Sequence, residues 1–256
     1  MIVIDKKTVA NITLLEVVRQ ELIHEKAPTV FFLHGFSSVK ENNLHYAYLL
    51  AEKNIRVVLP DAMFHGDRSK SLPIEELALH FWNIILKNIE ELNYLKNDYI
   101  ERGWTDEGKI GVAGTSMGGV TTLGALTQYD WIKCAVSLMG NPCYDQFARY
   151  LVEKVKEQGH ELPFTDEQLE EEYKKVSQFD LSKQPEKLNK RPLLFWHGKK
   201  DPVVPYYYAY EFYNNIKDMY KENEEDLQFI LNEHGQHKVS REGVLATVRW
   251  FAKYLH

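Results

Sequence analysis

A chain of 256 residues has room for one large α/β domain or two small ones, and 44% hydrophobic residues with 12% aromatics, 15 of them Tyr, exclude a disordered polypeptide. The net charge of −6 offers no cationic footprint for a phosphate backbone, so nucleic acid is excluded as a partner. The only cysteines, Cys134 and Cys143, build neither a disulfide framework nor a metal-ligand spacing.

Those two thiols read as free cysteines in a reducing compartment. Near the N-terminus, Asp5, Lys6 and Lys7 interrupt the apolar stretch that a secretory signal needs, and no later run approaches the roughly 18 apolar residues of a membrane span. A cytoplasmic protein without a membrane partner is expected, and a homodimer is left open.

In chain order, Thr8–Ala10 and Ile12–Val18 suggest a pair of antiparallel edge strands. Six short apolar runs follow: Thr29–Leu33, Ile55–Leu59, Ile110–Ala113, Cys134–Leu138, Pro192–Trp196 and Leu227–Leu231. None alternates polar with apolar residues, which is the pattern of strands buried on both faces of a parallel sheet. Helical patterns separate them at Leu44–Lys53, Ile74–Arg102, Met117–Thr127, Tyr206–Tyr220 and Arg241–Tyr254. The longest carries apolar residues near helical spacing at Leu77, Phe81, Ile84, Ile85, Ile89 and Leu92. This alternation predicts a single α/β domain over residues 1–256, with a doubly wound, mostly parallel sheet. Residues 141–190 break the rhythm with two helical patterns, Gln146–Gln158 and Asp166–Val176, and are expected to form a small helical cap over the carboxyl edge of the sheet, where open α/β sheets bind ligands.

Chemistry concentrates where strands end. Gly114-Thr115-Ser116-Met117-Gly118 follows a β run and opens a helix. In that setting G-x-S-x-G puts a serine on a sharp turn with its hydroxyl exposed above the sheet. Glycines on either side remove the Cβ atoms that would clash, and the helix N-terminus favours developing negative charge. No P-loop lysine follows, and no G-x-G-x-x-G is complete. A serine nucleophile needs a base, and the base needs a carboxylate to orient it. In the order Ser, Asp, His, Asp201 lies just beyond the strand Pro192–Trp196 and its His197-Gly198, and His237 lies after the last strand and before the last helix. His234 is the weaker candidate for the base. The backbone amides of Met117 and of Phe36, in the loop His34-Gly35-Phe36-Ser37-Ser38, are the expected oxyanion donors.

The segment Asp61-Ala62-Met63-Phe64-His65-Gly66-Asp67-Arg68 carries His65 between two carboxylates but has no metal-binding spacing, so it reads as a loop beside the site rather than a metal centre. His65, Tyr144 and Phe147 are the expected substrate-binding residues, with Tyr150 a further lining candidate.

Taken together, His34-Gly35-Phe36, the Asp61–Arg68 segment, Gly114–Gly119, His197-Gly198-Lys199-Lys200-Asp201 and Gly235-Gln236-His237 resemble the α/β-hydrolase superfamily. Within it the chain is most similar to bacterial esterases related to dienelactone hydrolases and to prolyl-oligopeptidase-type hydrolase domains. The resemblance implies Ser116 as nucleophile, His237 as base, Asp201 as acid, and Phe36 and Met117 as oxyanion donors, with no metal or organic cofactor. It departs from dienelactone hydrolases, which place cysteine where this chain has Ser116. Because the first core strand begins at Thr29, no large gating domain ahead of it is expected. The expected activity is hydrolysis of small or medium carboxylic esters through an acyl-enzyme. Acyl transfer or short-peptide cleavage is the alternative among enzymes, and a non-catalytic ligand-binding protein of the same fold is the alternative outside them.

Overall fold

The computed structural model describes all of residues 1–256. Eight strands form one sheet: β1 (Ile2–Val9), β2 (Ile12–Arg19), β3 (Ala27–Leu33), β4 (Arg56–Pro60), β5 (Thr105–Thr115), β6 (Cys134–Leu138), β7 (Leu193–Gly198) and β8 (Leu227–Asn232), in the order β1-β2-β4-β3-β5-β6-β7-β8. The β1–β2 and β2–β4 pairs are antiparallel, and every pair from β4 across to β8 is parallel. Alternate residues of β3 show why these strands read as unbroken apolar runs. Phe31 and Leu33 pack into the core on one face, Val30 and Phe32 into the core on the other, and all four are buried.

Helices α1 (Leu44–Ala51) and α8 (Arg241–Tyr254) cover one face through Tyr46, Leu50, Trp250 and Phe251. The other face carries α3 (Phe81–Glu101), α4 (Met117–Gln128) and α7 (Tyr206–Ile216), together with the inserted α5 (Tyr144–Glu157) and α6 (Asp166–Ser177). The insertion has no core of its own. Phe147, Tyr173, Val176 and Leu181 join the core of that face, and rings bridge Phe147 to Phe81 and Trp82 of α3, and Tyr150 to Tyr208 of α7.

Several expected boundaries change, and three of the changes have a local cause. The first strand is β1, and Ala10 belongs instead to a two-residue hairpin turn in which Ala10 (φ 47°) and Asn11 (φ 64°) both take left-handed values. A turn of that hand matches the twist of the flanking strands. The long helical pattern divides at His80 into α2 (Ile74–Leu79) and α3. His80 leaves helical dihedrals at ψ 3°, and its ring packs on Phe64. β5 begins at Thr105, which is buried and pairs with Ala27, and residues 106–109 bulge out before pairing resumes at Thr29–Ile110.

The chain turns from β3 outward to β4 and returns on the other side of β3 as β5. The carboxyl ends of β3 and β5 therefore flank the point where strand order reverses, the place where open α/β sheets form their crevice.

Candidate active site

Ser116 lies at the end of β5, where the backbone turns into α4 at φ 53° and ψ −116°. For a residue with a side chain this conformation costs on the order of 1–3 kcal/mol and survives only where its surroundings enforce it. Ser116 N–H donates to Leu138 O (2.8 Å), and Ser116 O accepts from Val120 N–H (2.9 Å). The turn is tight enough that a Cβ on Gly114 would stand 2.2 Å from the Gly118 carbonyl carbon, and one on Gly118 2.2 Å from Leu33 O.

Asp201 and His237 arrive from the loops after β7 and β8. The Asp201 carboxylate is fully shielded from solvent. Its Oδ1 accepts the amides of Val203 (2.9 Å) and Val204 (3.0 Å), and its Oδ2 accepts from His237 Nδ1 (2.7 Å). Burial alone raises the pKa of Asp201. Hydrogen bonds from His197, His237 and the Val204 amide outweigh it and hold the carboxyl well below the ordinary range. An ionised Asp201 accepts only, so the His237 proton sits on Nδ1 and leaves Nε2 as an acceptor. That lone pair faces Ser116 Oγ at 2.8 Å. The three predicted residues thus form one continuous row, with Ser116 and the His237 side chain partly open to solvent.

On the other side of the serine, Gly35 packs against it: a Cβ there would lie 3.4 Å from both Ser116 Cβ and Thr115 O. The amides of Phe36 and Met117, on the two sides of the crevice, donate to no other group of the chain. Backbone donors left free beside a serine hydroxyl are the arrangement that could receive a developing oxyanion. The Phe36 ring is half-buried against Phe81 and His65.

The expected substrate contacts fare differently. His65 is buried, and both its nitrogens are engaged: Nδ1 donates to Met63 O (2.8 Å) and Nε2 accepts Ser37 N–H (3.1 Å). Tyr144 is completely buried, with its hydroxyl donating to Val120 O (2.6 Å) beneath the first turn of α4. It is a wedge between α5 and α4 rather than a surface for substrate. Phe147, also buried, is separated from Phe36 by the ring of Phe81. Position after a strand suggested these residues, but the direction in which an inserted helix turns its side chains is settled only by its packing. His234 is exposed and uses only its amide locally, to Asn232 Oδ1. Around Asp61, Lys40 Nζ pairs with Asp61 (2.7 Å) and Asp67 (2.6 Å), so the carboxylates flanking His65 are bound to an ammonium.

His197 escaped the sequence reading as more than the end of a strand. It is buried, with Nε2 2.9 Å from Val204 O and 3.3 Å from Asp201 Oδ2. Its position directly before Gly198, four residues ahead of Asp201, was the available signal. His34 is a second buried imidazole, with Nδ1 donating to Gly35 O (2.8 Å) and Nε2 accepting Ala62 N–H (2.9 Å). Burial pushes its pKa down to about 4 from 6.5. Between those values the unfolded chain binds a proton that the folded chain refuses. Stability is therefore complete above about pH 6.5 and falls as the pH drops toward 4, by about 3 kcal/mol from this residue. Urea denaturation across this range is expected to show the fall in wild type and a shallower one in His34→Gln.

The sheet order and the strained serine turn at its crevice define an enzyme of the α/β-hydrolase class. Within that class the chain belongs to the prolyl oligopeptidase family, whose description matches residues 92–256. It is 52% identical over 255 residues to the protein called Putative esterase YitV of Bacillus subtilis (strain 168), covering 100% of both chains. Esterase YjfP of Escherichia coli (strain K12) is 31% identical over 209 residues, or 80% of this chain and 81% of that one. Among solved structures, TT1662 from Thermus thermophilus superposes with a TM-score of 0.76 at 18% identity, covering 100% of this chain and 99% of that chain. Pyrococcus horikoshii acylaminoacyl peptidase gives a TM-score of 0.70 at 20% identity, covering 99% of this chain and 41% of that chain. At such identities these two likenesses speak for the fold. No helix is long and apolar enough to cross a membrane.

Proposed function

We propose that this hydrolase cleaves small or medium carboxylic esters through an acyl-enzyme formed on Ser116. The observation that carries the reading is the unbroken row from Asp201 through His237 to Ser116, at 2.7 and 2.8 Å. His237 takes the serine proton as the hydroxyl attacks the acyl carbonyl. Asp201 holds the imidazole in the tautomer that can accept it and stabilises the imidazolium that forms. The amides of Phe36 and Met117 receive the charge on the tetrahedral intermediate. His237 then returns the proton to the leaving alcohol, and a water activated the same way releases the acid. Phe36 and Phe81 form the wall nearest the acyl group, in place of the buried Tyr144 and Phe147.

Esters are favoured over peptides because the relatives matched over most of their length carry esterase names, whereas the peptidase neighbour is matched over 41% of its own. The buried, unpaired thiols of Cys134 and Cys143 support a cytoplasmic enzyme. The test is turnover of p-nitrophenyl acetate and butyrate beside a short peptide p-nitroanilide, with an added alcohol as competing acceptor. Ester turnover yielding the free acid is expected. Faster anilide cleavage, or the transferred ester as main product, would replace this reading with a peptidase or a transferase.

A further inference from the structure

Besides the Lys40 ammonium on Asp61 and Asp67, the loop that carries Phe36 is stitched to the loop after β4 by three hydrogen bonds from backbone amides. His34 Nε2 accepts Ala62 N–H at 2.9 Å, His65 Nε2 accepts Ser37 N–H at 3.1 Å, and Asp61 Oδ1 accepts Lys40 N–H at 3.1 Å. The middle bond holds the least comfortable point. Ser37 sits at φ 55°, a left-handed value that a serine keeps only under constraint, and on the facing loop Phe64, directly before His65, sits at φ 65°. The ring of His65 lies against the rings of both His34 and Phe36, with centroids 5.2 and 5.7 Å apart. Its other nitrogen is committed to Met63 O, which fixes Nε2 as the acceptor.

Ser37 N–H belongs to the peptide plane that follows Phe36. Holding that plane sets the dihedral on the carboxyl side of Phe36 and with it the path of the loop past Ser116. The only side-chain acceptor this amide has is His65.

We infer that His65 is a positioning residue for the oxyanion hole: its Nε2 holds the strained Ser37 amide so that the neighbouring Phe36 N–H points at the reacting carbonyl. This deepens the hydrolase reading and rests on it. His65 touches neither substrate nor reacting atoms. It acts on the transition state, in which Phe36 N–H meets a full oxyanion, more than on the bound ester, in which it meets a neutral carbonyl.

Amide side chains separate its two bonds. Glutamine carries a terminal oxygen near the position of Nε2 and keeps the Ser37 bond, whereas asparagine reaches only the position of Nδ1 and keeps the Met63 bond. With p-nitrophenyl butyrate, His65→Leu and His65→Asn are expected to lower kcat on the order of 10²-fold, the cost of misplacing one catalytic group by about 1 Å. KM should stay within about twofold, because ground-state binding is spared. His65→Gln should recover most of kcat. Equal losses in the glutamine and asparagine variants, an effect confined to KM, or wild-type kcat in all three would overturn the inference. Should the leucine variant not fold, as judged by its thermal unfolding, the glutamine–asparagine pair decides. Ser116→Ala, run beside them, separates the two levels. Activity surviving in that variant removes the hydrolase reading itself, whereas its loss together with unaffected His65 variants removes only the role of His65.

Discussion

Ser116→Ala is expected to lower kcat/KM for p-nitrophenyl butyrate by 10⁴-fold or more, on the order seen when a serine nucleophile is deleted and only oxyanion donors and binding remain. The change removes one oxygen from a half-buried position and adds nothing. Alanine inherits the same left-handed backbone at φ 53°, so the strain in the turn is unchanged. Gly114 and Gly118 still meet as before, and the bonds from Ser116 N–H to Leu138 O and from Val120 N–H to the residue 116 carbonyl involve backbone atoms only. Thermal unfolding should therefore match wild type while turnover disappears. A variant that unfolds at the same temperature and keeps more than about a hundredth of its activity would mean that another group attacks the ester, since loss of a true nucleophile costs far more.

Asp201→Asn is expected to cost about 10⁴-fold in kcat, through the wrong tautomer rather than lost charge alone. Two amides, Val203 N–H and Val204 N–H, point at Oδ1. An asparagine must keep its carbonyl oxygen there, because turning the NH₂ toward two N–H donors would leave all of them unpaired in a buried site. The NH₂ then takes the place of Oδ2 and faces His237 Nδ1 at 2.7 Å and His197 Nε2 at 3.3 Å. Two donors cannot share that line. His237 moves its proton to Nε2, where it meets the Ser116 hydroxyl as a donor and cannot accept. Imidazole nitrogen NMR on the variant would show the change of tautomer, and steady-state kinetics the loss. Retention of kcat within about tenfold would mean that Asp201 only braces the loop, a role too small for the orienting carboxylate of a triad.

Much of the fold was legible because its signals are local. Runs such as Thr29–Leu33 and Cys134–Leu138 are apolar without alternation because each strand is covered on both faces, and the observed β3 and β6 contain or match them. What stayed hidden depends on context. The polar residues Asp106 to Lys109 look like a loop, and within β5 they bulge out of register between the pairs Ala27–Thr105 and Thr29–Ile110, while nothing in the periodicity through Phe81 announces the break at His80.

The site divides in the same way. Ser116, Asp201 and His237 sit at strand ends fixed by chain order, and the structure brings these three together. Their neighbours are another matter. His34 and His65 each accept an amide of the facing loop, and His197 binds the Val204 carbonyl of the loop it leads into, so which backbone group meets which imidazole is decided by how the loops after β3, β4 and β7 pack. Tyr144 illustrates the opposite error. An aromatic at the start of the insertion suggested a pocket wall, but its hydroxyl is spent on the buried carbonyl of Val120.

In the proposed reaction one serine, activated by one imidazole, forms a covalent bond to the substrate. Incubation with a fluorophosphonate, followed by intact-mass analysis and peptide mapping, reads out that bond. One adduct per chain is expected, located on Ser116, formed rapidly by wild type and far more slowly by His237→Ala. A label on any other residue, or none on folded wild-type protein, would contradict that reaction.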